Sequence, residues 1–269
     1  MRKSSLGMLC SYLITEENMK NTNFHDHREI LLSLIDCLSK KYKKDSILPV
    51  LCQIYNDDIN DYTTSAIKKY LETNDIHTYV NTDINSCDAE ILIRVIPLVF
   101  YLVHHPYIDQ EKRYTMIEDV IRLTHTHPVA IISAIIYGTM LFSYIENKNM
   151  DEEVEKIFRY IWTRVEYRDW LNDFRIFVHV DRIRKLHIED ISTSTYVIDA
   201  LTTSLWSVLC SFDYQTGLDK LGSITTNKTL HLLSSALIGA KYGLDSINTE
   251  SIKDELNLFE SIIKRYENS

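Results

Sequence analysis

Apolar side chains recur at three-to-four-residue spacing along most of the chain, and the pattern is clearest between Ser192 and Gly243. Two helical stretches are predicted there, Tyr196–Cys210 and Leu230–Tyr242. In the first, Val197, Leu201, Leu205 and Val208 form one buried face; in the second, Leu232, Leu233, Ala236, Leu237 and Ala240 do the same. Ser235, Ala236, Gly239 and Ala240 are small enough to let another backbone come close. A polar loop, Gly222–Thr229, joins the two stretches. Its position before a helix suits an ordinary N-cap, or a site presenting side chains and N–H groups to an anion.

The same reading covers the rest of the chain. Ser4–Thr15 predicts an apolar helix closed by Glu16-Glu17-Asn18, and Asn21–His27 a polar loop. Arg28–Lys44 predicts a helix with Ile30, Leu31, Leu34, Ile35 and Leu38 inward and a basic last turn. Ile47–Tyr55 and Asp61–Leu71 read as short helices and Asn74–Asp88 as a loop. Ala89–Val103 is strongly apolar, and Pro97 inside it predicts a kink or a break. His104-His105 before Pro106 reads as a helix C-terminus, where a cation is favoured. Asp109–His125 is amphipathic and capped by Asp109, and Pro128 opens an uncharged helix to Ile145. That helix approaches membrane-spanning length, but Ser133, Gly138, Thr139 and Ser143 interrupt it and nothing polybasic flanks it, so a central buried helix is expected. Asp151–Val165 reads as a surface helix capped by Asp151, and Thr249–Tyr266 as a terminal amphipathic helix. Tyr167–Glu189 reads as two short helices and a loop. Within it Trp170, Phe174, Phe177, Arg175, Arg182 and Arg184 suit either a protein interface or a loop packed on the domain edge.

Composition narrows the class. The chain has 269 residues, 45% of them hydrophobic, with six glycines, four prolines and no alternating strand runs, so helices should dominate. A net charge of −9 disfavours nucleic-acid binding and suits a basic protein partner. Five scattered cysteines without a C-x-x-C predict free thiols in a reducing compartment and no structural zinc. No apolar run of signal-peptide length precedes Glu16-Glu17, so a cytoplasmic location is expected, without membrane association. Phosphate-loop, dinucleotide-fold, nucleophile-elbow and H-E-x-x-H motifs are all missing.

Three segments, in order, carry a resemblance to a known family. Tyr196-Val197-Ile198-Asp199-Ala200-Leu201, Leu205-Trp206 and Ser235–Gly243 resemble the C-terminal signature of the ADP-ribosylglycohydrolases, approximately G-Y-V-V-D-T-L followed by A-L-W and a small-residue helix ending Y-G. Leu123-Thr124-His125-Thr126-His127-Pro128 resembles the family's L-T-H-x-H-P, and Ile93-Arg94-Val95-Ile96-Pro97-Leu98 its M-R-x-x-P-L. The resemblance implies a single all-α domain over residues 1–269.

It also implies a dinuclear metal centre, commonly magnesium, held by an early T-D-D and a late D-T-D-T. Such cations need several oxygen ligands, which closely spaced carboxylates supply. At the early motif this chain reads His25-Asp26-His27; at the late one it reads Thr226-Asn227-Lys228-Thr229. Asp26 alone remains of the aligned aspartates, and an ammonium at Lys228 would repel a metal or pair with Asp26. Ser11-Tyr12 stands at the family's G-D, Gly7 fits one of its glycines, and Glu16 or Glu17 falls near its catalytic acid. Ala89-Glu90 aligns with the N-G ligand turn, where a Glu side chain would repel a diphosphate.

The candidate catalytic residues are therefore Asp26, Glu16 and Glu17. Candidate ligand contacts are His25, His27, Glu90, His125, His127, Tyr196, Thr226, Asn227 and Lys228. A degenerate member is expected, without a cofactor, that binds rather than hydrolyses. Its expected partner is a protein such as an ADP-ribosyltransferase toxin or an ADP-ribosylated target, in an immunity role, with an ADP-ribose-like ligand in the cleft. The alternatives are a hydrolase with magnesium, or with zinc on Asp26 and His27, or without metal, and a purely structural protein. His125 and His127 read equally as structural residues.

Overall fold

A computed structural model describes residues 1–19, 27–40, 42–55, 62–73 and 83–268. His25, Asp26 and the Asn21–Asp26 part of the expected loop lie outside them. The α-helices are α1 (Arg2–Asn18), α2 (His27–Lys40), α3 (Lys44–Ile54), α4 (Tyr62–Thr73), α5 (Val95–Val103), α6 (Gln110–Ile121), α7 (Pro128–Glu146), α8 (Met150–Thr163), α9 (Val180–Arg184), α10 (Val197–Leu209), α11 (Tyr214–Ile224), α12 (Lys228–Tyr242) and α13 (Lys253–Glu267). Short 3-10 segments link several of them, and no sheet forms among the described residues.

Helix α7 is the centre of the molecule. Every residue from Pro128 to Glu146 is buried except Pro128, Tyr144 and Glu146. Its apolar length would suffice to cross a membrane, but here it is spent on contacts with α5, α6, α8, α10 and α12. His127 caps it, with Nδ1 accepting the Val129 N–H at 3.2 Å, and Pro128 follows at the first helical position, where its missing N–H costs nothing. All nine residues of α5 are buried beside it.

Several local expectations change. Pro97 does not kink a helix. Ala89–Leu92 is 3-10, the chain turns at Ile93-Arg94, and α5 starts at Val95, which puts Pro97 in a first turn that has no bond to lose. The cap of α8 is Asn149, whose Oδ1 accepts from Asp151 and Glu152; Asp151 instead accepts the Val180 N–H at 3.1 Å, tying α8 to α9. The link between α10 and α12 is not all loop, because Gly222 to Ile224 end helix α11. Asp213 and Thr216 close its N-terminus with a capping box, and only Gly217 and Leu221 are buried in it, too few for a readable period. In the Tyr167–Glu189 stretch, Val165–Val178 is 3-10, and Tyr167, Phe174, Phe177, Val180 and Ile183 all enter the core. The aromatic half of the expected interface is thus packing, although Arg175, Arg182 and Arg184 are exposed.

Candidate functional site

The antiparallel pair α1 and α12 positions the site. They cross where Gly7 meets Gly239: a Cβ on Gly7 would lie 2.4 Å from the Gly239 carbonyl oxygen, and one on Gly239 would lie 2.2 Å from that of Gly7. Only glycine on both helices permits this approach, so the small residues of α12 do what their sizes suggest. The crossing also acts as a ruler. Glu16 lies about 14 Å further along α1, and Lys228 about 16 Å back along α12, at a rise of ~1.5 Å per residue.

The two side chains meet there. Lys228 Nζ is 2.7 Å from Glu16 Oε2, and the side chains are 6% and 9% exposed. Asn227 caps α12 through Oδ1, which accepts the Leu230 N–H at 3.1 Å, and its own N–H donates to Thr225 Oγ1. His231 fixes the same turn through its Nε2 contact of 2.9 Å with the Thr225 carbonyl. This is an N-cap that also sets the position of the lysine.

Three further polar side chains are linked to Glu16 through Tyr12. Tyr12 is fully buried on α1 and donates to the His27 carbonyl at 3.3 Å. Burial first, and then the carboxylates of Glu16 and Glu90 with Tyr55 and Tyr137, push its phenol well above the usual range. His27, the first residue of α2, is fully buried, with Nε2 3.8 Å from Glu90 Oε1. Neither ring nitrogen of His27 has a hydrogen-bond partner among the described residues, and neither does Glu90 Oε1. Glu90 is fixed in its 3-10 turn by Asp88, which accepts its N–H at 3.0 Å.

Other expected site residues lie elsewhere. Glu17 is half-buried beside Glu16 and Thr226 is exposed. His125 is buried in a network in which Arg94 donates to Thr124 Oγ1 at 2.6 Å and Thr63 Oγ1 at 3.1 Å, with His125 Nδ1 2.9 Å from Thr124 Oγ1. His127 is the cap of α7, edge-on to Trp170 at 4.5 Å, and burial holds its imidazole below the usual range. Both histidines are structural in these contacts. Tyr196 is half-buried at the start of α10, bridged to Asp88, which joins that helix to the Glu90 turn. His104 does end α5, but not as a favoured cation: burial, with His105, Arg2 and the N-terminus nearby, lowers it to about 4.

Sequence reasoning missed the partner of Lys228. Asp26 lies outside the described residues, and within them the ammonium meets Glu16. The signal was the register of two small-residue helices, invisible until they pair. Tyr12 was missed as well, read only as a departure from the family's G-D. Chemically, Lys228 ion-pairs with the carboxylate that falls near the family's catalytic acid, and neither Thr226 nor Lys228 offers a carboxylate oxygen. Among the described residues no three His, Cys, Asp or Glu side chains group as a metal site. Asp26, the one aspartate that remains of those aligned with the family's metal ligands, lies outside the described residues.

The model of the ADP-ribosylglycohydrolase family matches residues 10–266, and the chain belongs to that family. A solved structure described as an "ADP-ribosylglycohydrolase-related protein complex" is similar over 99% of both chains, with a TM-score of 0.70 and 15% identity, which establishes the shared fold. No curated protein matches.

Proposed function

We propose that this chain is a degenerate ADP-ribosylglycohydrolase that binds without hydrolysing, an internal ammonium having taken the place of the metal centre. The observation that carries the reading is Lys228 Nζ at 2.7 Å from the buried Glu16 carboxylate. Glu16 stands near the family's catalytic acid, and an ion-paired carboxylate is a poor general base and an occupied ligand. Glu90, where the family has a glycine of its ligand turn, adds negative charge against a diphosphate. The role is recognition of a protein through the old cleft and its rim, such as an ADP-ribosyltransferase or an ADP-ribosylated target, as an immunity factor would require.

The test is titration calorimetry of metal-stripped protein with magnesium, manganese and zinc, then ADP-ribose, beside a hydrolysis assay on ADP-ribosylated protein. No turnover with any metal is expected. Metal-dependent turnover that disappears in Asp26→Ala overturns the reading. One observation favours a rewired enzyme instead: the buried ring nitrogens of His27, opposite Glu90, which have no hydrogen-bond partner among the described residues. On that second reading zinc, which accepts imidazole, binds with Asp26 and His27 and restores turnover.

A further inference from the structure

A second surface, on elements remote from the cleft, has the composition of a binding face. Near the end of α8, Trp162 is 63% exposed, and Val165 just beyond is 73% exposed. The Arg168 guanidinium lies over the Trp162 ring at 5.7 Å, and its Nε donates to the Trp162 carbonyl at 2.7 Å. One turn back, Arg164 lies over the Tyr160 ring at 4.9 Å and donates to the Tyr160 hydroxyl at 2.8 Å. Arg159 is exposed and makes no ion pair among the described residues. A groove of about 480 Å³ lies between α8 and the start of α6, lined in part by Glu111, Lys156, Arg159, Thr163 and Arg164, with Trp162 beside it on the same helix.

The nearby buried acids are already committed. Glu118 accepts from the Tyr160 hydroxyl, and Glu153 accepts from Gln110 and Lys156. Rings and neutral oxygens make the close contacts of Arg164 and Arg168, and no carboxylate lies within ion-pair distance of either among the described residues, although Glu118 acts on Arg164 electrostatically. Stacking orders a guanidinium without neutralising it and leaves in-plane N–H groups for a bidentate carboxylate. Pre-ordering of this kind lowers the entropy lost on binding. Trp with Arg around an exposed apolar centre is the usual composition of an interface hot spot.

We infer that this face docks a protein segment carrying spaced Asp or Glu side chains around one apolar residue. The carboxylates pair with Arg159, Arg164 and Arg168, and the apolar residue covers Trp162 and Val165. Exposed Glu155, Glu166 and Asp169 lie in the same stretch. They repel a continuous phosphate backbone and equally any carboxylate not seated on an arginine, so binding requires acids spaced to meet the guanidinium groups.

The experiment is fluorescence anisotropy of a labelled peptide of Glu, Asp and Leu on the intact protein, with a Lys/Leu peptide and a labelled oligonucleotide as competitors. Binding that weakens with salt is expected, and Trp162→Ala or Arg164→Ala should weaken it about tenfold or more, the effect of one hot-spot residue. Arg159→Glu gives the same loss without touching a packed ring, and Arg175→Ala leaves affinity unchanged. No binding, equal binding by these variants, or displacement by the oligonucleotide in preference to the acidic peptide overturns the inference.

Discussion

Lys228 and Glu16 are a buried pair whose halves need each other. Removing one charge strands the other in a site less than a tenth exposed. Lys228→Met should therefore cost about 3–5 kcal/mol in urea unfolding, whereas Lys228→Met with Glu16→Gln should cost much less, because replacing both charges avoids the stranded one. Equal losses in the single and double variants would mean the pair is not coupled. His104 gives a pH signature. Its imidazole is lowered from 6.5 to about 4 by burial, so the unfolded chain takes up the proton first as pH falls. The stability from the neutral ring is complete above about 6.5 and is lost as pH falls towards 4. His104→Gln, which retains a group able to bond Ser5 Oγ, should flatten the slope of melting temperature against pH in that window.

At the scale of elements, the crossing of α1 and α12 is the most constrained contact. Gly239→Ala would set a methyl 2.2 Å from a backbone oxygen and 2.6 Å from the Ser11 Cβ, so the helices must separate. A loss of about 1–3 kcal/mol or more is expected, together with a weaker Lys228–Glu16 coupling in the double-mutant cycle. Gly222, in the last turn of α11, has nothing within 4 Å of its would-be Cβ. Gly222→Ala should be neutral or stabilise by about 0.5–1 kcal/mol, since only the helix preference of the residue changes. Both effects are read from denaturation midpoints, and the contrast separates close packing from propensity. The helices themselves followed from periodicity wherever an apolar face was continuous, as in α2, α7 and α12. They were obscured where the buried face shrinks to Gly217 and Leu221, as in α11, and the cap of α8 was misplaced because Asn149 and Asp151 stand two positions apart.

For the whole molecule, on the proposed reading, EDTA leaves the melting temperature unchanged and added magnesium does not raise it, because the internal ammonium already balances the buried carboxylate; a rise saturating with metal concentration would contradict it. All-helical architecture, free thiols, a buried central helix and kinship with the ADP-ribosylglycohydrolases were determined by the sequence alone. Those properties depend on local spacing, residue volume and short ordered motifs, all of which are written along the chain. Which charge meets which was decided only by the tertiary structure. Glu16 and Lys228 lie at opposite ends of the sequence, and their contact depends on the register set where Gly7 meets Gly239. The fates of the histidines were decided the same way: His127 became a cap, His125 joined the Arg94 network, and His27 was buried opposite Glu90. A side chain's neighbours across a bundle are set by how whole helices cross, and no window of sequence contains that geometry.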